Sequence, residues 1–295
     1  MATRRRRGRC ADGAYSQCHG RRIVAAAAMT NPIIARLSGW FVLILLQIPL
    51  VMTFWASFSA DSLLTLPTTR WSMRWYVDFI NEPQWSRAAF RSLIAACVAA
   101  GIAVPLATAA AWSLREWPQR FRYYVLGLLL MPATVSGVAL GLGLLQVAYA
   151  VGLAGQWPCL IGAHTLLGFP VALLVVRMGF TPSLQELEAA AAGLGAKTSV
   201  VAWRITLPLL WPWLVASAVA VFVISLNDAV VAVFVCGPDT ETLPVVAWRQ
   251  LRHSAGPMVA VAGTITMVAS LGMMGVTTAG LWFLRLRKQS AGGSL

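Results

Sequence analysis

Two ionisable side chains fall inside the long apolar runs of this chain, His164 and Asp228. A charge in a bilayer is costly unless a partner, a solute or cavity water stabilises it, so such groups are candidates for contact with a polar cargo. Asn227 adds a neutral amide beside Asp228. Asp228, Asn227 and His164 are therefore the candidate lining of a polar path. Plainer readings stand beside this one. A lone His in an apolar span is usually a packed, hydrogen-bonded helix contact, and Asp228 reads nearly as well as a buried carboxylate paired to a neighbouring helix. The nearest charged neighbours in sequence, Arg204 and Asp239, are too distant to pair with it along one helix. A partner is expected from another helix, the cargo or water.

Catalytic chemistry finds little material. A phosphate loop needs Gly-x-x-x-x-Gly-Lys-Ser/Thr. Gly195-Ala196-Lys197-Thr198 matches only its end imperfectly, with Ala between Gly and Lys. An intramembrane serine protease needs a Gly-x-Ser-Gly nucleophile. Ser136-Gly137 and His164 are present, but Thr134 stands where that Gly belongs. An aspartyl protease needs two carboxylates that share a proton, and only Asp228 lies inside a span. Five cysteines show no Cys-x-x-Cys spacing. Cys97, Cys159 and Cys236 read as small buried hydrophobes, and Cys10 with Cys18-His19 makes a poor metal set. No catalytic residue, metal or cofactor is expected.

The stretch 184–208 reads LQELEAAAAGLGAKTSVVAWRITLP and lies between two apolar runs. Ala is the best helix former, and Glu186 and Glu188 suit a helix N-terminal end. Gly195 lets the chain turn out of that helix. Pro208 suits the first turn of the next one. A plain linker between spans has no need of a helix-forming block; a docking element does.

The elements that must position these residues follow from composition. The 295 residues are 58% hydrophobic and 11% charged, with a mean hydropathy of +0.71. Soluble domains carry about 25% charged residues, so the chain reads as an all-α polytopic membrane protein. A net charge of +13 raises the question of nucleic acid. The basic residues instead gather in the first 36 positions and at the flanks of apolar runs, with no aromatic-interleaved basic face, so no nucleic-acid partner is expected. Six runs meet the need for about 20 residues per crossing, near 37–58, 92–114, 123–148, 159–180, 209–235 and 258–284. Gly137-x-x-x-Gly141 on the third permits close helix approach. The chain then divides into a basic, disordered N-terminal tail at 1–35, a six-span domain at 36–288 with a loop at 181–208, and a short tail at 289–295.

Six spans place both termini on one side. That side carries 17 Lys and Arg residues against 6 on the other, so the termini and the 181–208 loop are expected in the cytoplasm. Arg4–Arg7 can touch anionic lipid. A signal peptide around 21–29 is the competing reading, and the span that begins near residue 37 argues against it. Met29 is a candidate start. The 61–90 outer loop carries Trp71, Trp75, Tyr76 and Trp85, and an amphipathic helix is expected around 73–80. An interfacial anchor and a contact surface for an external partner remain open there.

The 184–208 segment resembles the cytoplasmic coupling loop of ABC importer permeases, whose pattern is Glu-Ala-Ala, three residues, Gly, nine residues, Ile-x-Leu-Pro. Gly195, Ile205, Leu207 and Pro208 fall in register. The family Glu position holds Ala189, and the glutamate stands one residue earlier, at Glu188. The resemblance implies that Glu186, Glu188, Ala189, Ala190, Gly195, Ala196, Ile205, Leu207 and Pro208 couple the chain to an ATPase. Trp71-Ser72-Met73-Arg74-Trp75-Tyr76, Ala163-His164-Thr165 with Phe169-Pro170, Ser225-Leu226-Asn227-Asp228 through Phe234-Val235-x-Gly237-Pro238, and Leu243-Pro244 resemble the spermidine/putrescine branch. The likeness covers about 35–285. It implies a type I importer architecture in a bacterial inner membrane, a second permease, two ABC ATPase subunits, an extracytoplasmic solute-binding protein and membrane lipid around the spans. Ala133, Asn227 and Met258 stand where the branch often has acidic residues. A polycation path wants carboxylates or aromatic faces, so a related small polar solute stands beside polyamines as expected cargo. An ion-coupled secondary transporter or channel is the alternative. It would normally show more intramembrane ionisable groups and would have no use for a docking helix.

Overall fold

The computed structural model describes residues 32–61, 70–253 and 256–292. The expectations for the first 31 residues, including the disordered tail, Arg4–Arg7, Cys10, Cys18, His19 and a start at Met29, lie outside the described residues. So does the end of the C-terminal tail, at 293–295.

The described residues are helical apart from turns and two isolated bridges. The chain divides into two units between Thr53 and Phe54. Most of α1 (Pro32–Ala56) forms the first, with side chains exposed throughout 36–55. In the second unit, α2 (Arg74–Asn81) is a short, strongly two-faced helix in the outer loop, close to the expected 73–80. Its Tyr76 hydroxyl lies 2.8 Å from Ser57 Oγ.

Three long helices form the core: α3 (Pro83–Glu116), α6 (Trp157–Gly179) and, from the fifth span, α9 (Leu207–Asn227). The sequence reason is a stripe of small residues. Ala95, Ala96, Ala99, Ala103, Ala107 and Ala111 are buried on α3, and small side chains let helix backbones approach in a membrane. At Gly168 the approach is closest. A Cβ there would stand 2.4 Å from Val221 Cγ1. Pro105 and Pro170 lie inside α3 and α6 without ending either. At 34 residues, α3 is about 50 Å long, longer than the roughly 30 Å hydrocarbon core. It begins nine residues before the expected 92.

The third span departs from the continuous run expected at 123–148. Helix α4 (Gln119–Leu130) leads into a 3-10 turn at Met131–Ala133, and α5 (Gly137–Ala150) leaves at 94° to it. Pro132 sits in that turn, where its missing N–H and fixed φ do least harm. Among the described residues, five helices are long and apolar enough to cross a membrane, or six if this bent pair is one span.

The fifth span is corrected at both ends. After α7 (Pro182–Gly193), the helix begins at Thr198, inside the expected 181–208 loop. It runs through α8 (Thr198–Val201) and a π-helical turn at Ala202–Thr206 into α9. Pro208 therefore opens α9 but does not begin a separate helix; Leu207 N–H reaches back five residues to Ala202 O. At the outer end α9 stops at Asn227 and does not continue to 235. A break at Asp228–Ala229 leads into α10 (Val230–Val235).

Helix α10 crosses α5 at the Gly-x-x-x-Gly pair. A Cβ on Gly141 would stand 2.6 Å from the Phe234 ring, and one on Gly137 would stand 3.0 Å from Val230 Cγ1. After α10, Arg249 of α11 (Leu243–His253) pairs with Glu241, and Leu243 N–H donates to Ser92 Oγ at 2.7 Å. The last helix, α12 (Pro257–Gly292), extends past the expected 284 and takes in part of the expected 289–295 tail.

Candidate functional site

The 181–208 loop is built by its caps. Thr181 Oγ1 accepts from Leu184 N–H at the start of α7, and buried Leu184 anchors the helix. At its end Gly195 has φ +80°. Its N–H donates to Ala192 O at 2.9 Å, and Ala196 N–H donates to Ala191 O at 3.1 Å. These two bonds form a Schellman cap, which needs the left-handed conformation that Gly adopts at least cost. The turn expected at Gly195 is there, two residues beyond the helix end at Gly193.

Glu186, Ala189, Ala190, Gly195 and Pro208 are exposed, and Ala196, Ile205 and Leu207 are half-buried. Glu188 does not share the exposed face. Its carboxylate points into the protein, against the C-terminal end of α3. Arg115 grips it with both guanidinium nitrogens, Nη1 to Oε1 at 3.3 Å and Nη2 to Oε2. Thr206 Oγ1, in the π-helical turn, donates to Oε1 at 2.6 Å. The Arg115 guanidinium also lies 4.6 Å from the Phe180 ring centre and 5.8 Å from that of Trp112. Burial pushes the Glu188 carboxyl up. Hydrogen bonds from Arg115 and Thr206, with the Arg115 charge, outweigh it and hold the group below its ordinary value. A cleft of about 420 Å³ opens beside the pair, between α3 and α7, and includes Gln185, Ala192 and Thr198.

Three residues here were not legible as part of the site. Arg115 counted only as a topology charge, and nothing in the sequence joins it to a residue 73 positions on. Thr206 occupies the free position of Ile-x-Leu-Pro. Leu194 is 90% exposed at the tip of the loop. Its signal was an apolar residue between two glycines.

The expected path residues converge, in contacts that match the plainer readings of His164 as a hydrogen-bonded helix contact and of Asp228 as a carboxylate paired to a neighbouring helix. His164 is fully buried on α6, with Nδ1 2.6 Å from Ser225 Oγ. Its Nε2 lies 3.8 Å from Asp228 Oδ2. Asp228 occupies the break after α9, and its carboxylate accepts from Val231 N–H at 3.5 Å and Ala232 N–H at 3.0 Å. It thereby caps α10. The partner expected from another helix is His164; the local N–H groups, which the chain presents by bending, were not expected. Asn227 is exposed, and its amide donates to Val223 O at 2.8 Å and Ser270 Oγ at 3.2 Å. It borders a second cleft of about 260 Å³ with Trp248 and Thr266.

The comparisons with known proteins agree with one another. The family described as binding-protein-dependent transport system inner membrane component matches residues 101–279. The putrescine transport system permease protein PotI of Escherichia coli is 30% identical over 270 residues, covering 85% of this chain and 92% of its own. The spermidine/putrescine transport system permease protein PotC of Escherichia coli is 29% identical over 232 residues, covering 78% and 86%. The molybdenum transport system permease protein ModB of Mycobacterium bovis is 30% identical over 191 residues, covering 61% and 72%. Among solved structures, a bacterial ABC transporter involved in the import of the acidic polysaccharide alginate matches with a TM-score of 0.62 at 18% identity, over 88% of this chain and 95% of that one.

Proposed function

The chain belongs to the family of binding-protein-dependent transport system inner membrane components, and on that premise we propose that its cargo is a polyamine or a related small polar cation. It is a multi-pass inner-membrane permease subunit of an ABC importer, a transport component and not the ATPase. The observation that carries the cargo is the likeness to PotI along 85% of the chain, on a protein whose name states putrescine transport. The missing acidic positions at Ala133, Asn227 and Met258 favour a cargo with few positive charges.

The partners follow from the same reading. A second permease completes the path, two ABC ATPases dock on the coupling loops, and an extracytoplasmic binding protein delivers cargo. The termini and the 181–208 loop face the cytoplasm, and 36–288 forms the permease domain. Glu186, Ala189, Ala190, Gly195 and exposed Leu194 form the surface offered to the ATPase. The apolar, exposed sides of α1 suit lipid or the second permease. Asp228, Asn227 and His164 stand at the outer end of the path, where Asp228 both holds the break and meets the cargo.

Cells that lack their own polyamine importers test this. With this chain, its neighbouring permease, ATPase and binding protein restored, labelled putrescine uptake should return and unlabelled spermidine should compete less well. Uptake that returns for neither amine, in cells that assemble the complex, would remove polyamines from the cargo list.

A further inference from the structure

We infer that Arg115 is a coupling residue. Through its grip on Glu188 it transmits the motion of the ATPase-docking helix to the second and fifth spans. The inference rests on the permease reading and adds to it a residue 73 positions before Glu188.

The geometry argues for transmission. Helix α7 touches the ATPase through its exposed face, which includes Glu186, in the reading above, yet Glu188 faces the opposite way. Three elements meet at that carboxylate, and a fourth backs the guanidinium that grips it. Arg115 comes from the end of α3, and Thr206 from the π-helical turn that opens α9. Phe180, at the end of α6, lies beneath the guanidinium. Glu188 itself belongs to α7. The side chains of Arg115 and Glu188 are only 23% and 14% exposed, so solvent screens their attraction less than that of a surface pair. A forked guanidinium on a carboxylate fixes orientation as well as distance.

Buried Leu184 anchors the first turn of α7, but around the pair α7 lines the cleft of about 420 Å³ with Ala189 and Ala192. Alanine methyls and open space transmit little force. Coupling travels through contiguous packed or hydrogen-bonded groups, and this pair is a polar contact that ties α7 to α3. The one-residue displacement of the glutamate, from 189 to 188, has a consequence for direction. On a helix one residue is about 100° of rotation, enough to turn the carboxylate from the docking face toward α3.

The test uses the whole complex, purified through a tag on this chain and placed in liposomes. Retained ATPase, cargo uptake and ATP hydrolysed are measured together for Arg115→Gln, Glu188→Gln, Thr206→Val, Arg115→Lys and the exchange of Arg115→Glu with Glu188→Arg. Arg115→Gln and Glu188→Gln should keep the ATPase bound and lower cargo moved per ATP by about tenfold, within the range of ordinary site-to-site couplings. Thr206→Val should lower it less. Arg115→Lys, with charge but no fork, should recover part of the loss, and the exchanged pair should recover most of it.

Variants that hold the ATPase and move cargo per ATP as the parent does would overturn the inference. So would uncoupled single variants that the exchange does not rescue, because the two residues would then act separately. If Arg115→Gln fails to assemble while Thr206→Val couples normally, the pair is a brace for folding and the inference falls. A parent complex that retains no ATPase would instead sink the permease reading.

Discussion

Asp228 shows how much one carboxylate's surroundings decide. Its oxygens face the N–H groups of Val231 and Ala232, and one lies near His164. Removing a helix cap costs about 0.5–2 kcal/mol, so Asp228→Ala should lower the yield of assembled complex. Asp228→Asn keeps an acceptor oxygen and should assemble, but a cationic cargo would lose its counter-charge and the uptake KM should rise. Uptake per assembled complex separates these effects. A wild-type KM in Asp228→Asn would make the carboxylate structural alone. That Asp228 and His164 belong together was legible as two rare ionisable groups in apolar runs. The cap was not, because it depends on a bend that leaves no mark on hydropathy.

At the scale of elements, the loop was the most legible part. Ala-rich helix, glycine turn and proline entry each follow from local backbone chemistry. Gly195 tests it. Its φ of +80° and open surroundings mean that a side chain there meets strain rather than a clash. Gly195→Ala should cost about 1 kcal/mol, while Gly195→Pro also loses the N–H bond to Ala192 O and demands φ near −65°. The proline variant should stay in the membrane and lose the ATPase or its coupling. Wild-type ATPase yield with normal uptake would contradict the cap's role. The Glu188 contact adds a pH dependence. Its folded pKa lies below the ordinary 4.5, so its contribution is fully present above that value and is lost as pH falls through the lower, folded one. Coupling should therefore hold through neutral and mildly acidic pH. In Glu188→Gln this acid-side loss should disappear from a pH profile of cargo moved per ATP. The broken third and fifth spans were not legible. Pro105 and Pro170 sit inside unbroken helices, whereas Pro132 lies at a break, so proline alone does not tell them apart. Packing of α10 on the glycines of α5 does.

For the whole molecule, composition carried the class, because a bilayer constrains it strongly, and charge bias predicts the sidedness. Reporters after Lys288 and near Lys197 should score as cytoplasmic, and one at 239–242 as external. Agreement of the Lys197 and 239–242 sites would break the six-span topology. Energy source decides the central claim most directly. The purified complex, with its binding protein outside proteoliposomes and ATP enclosed, should accumulate labelled polyamine against its gradient. Accumulation should continue when ionophores collapse every ion gradient and should stop with a non-hydrolysable ATP analogue. Uptake that survives the analogue and ends with the ionophores would contradict the account and make the chain an ion-coupled transporter.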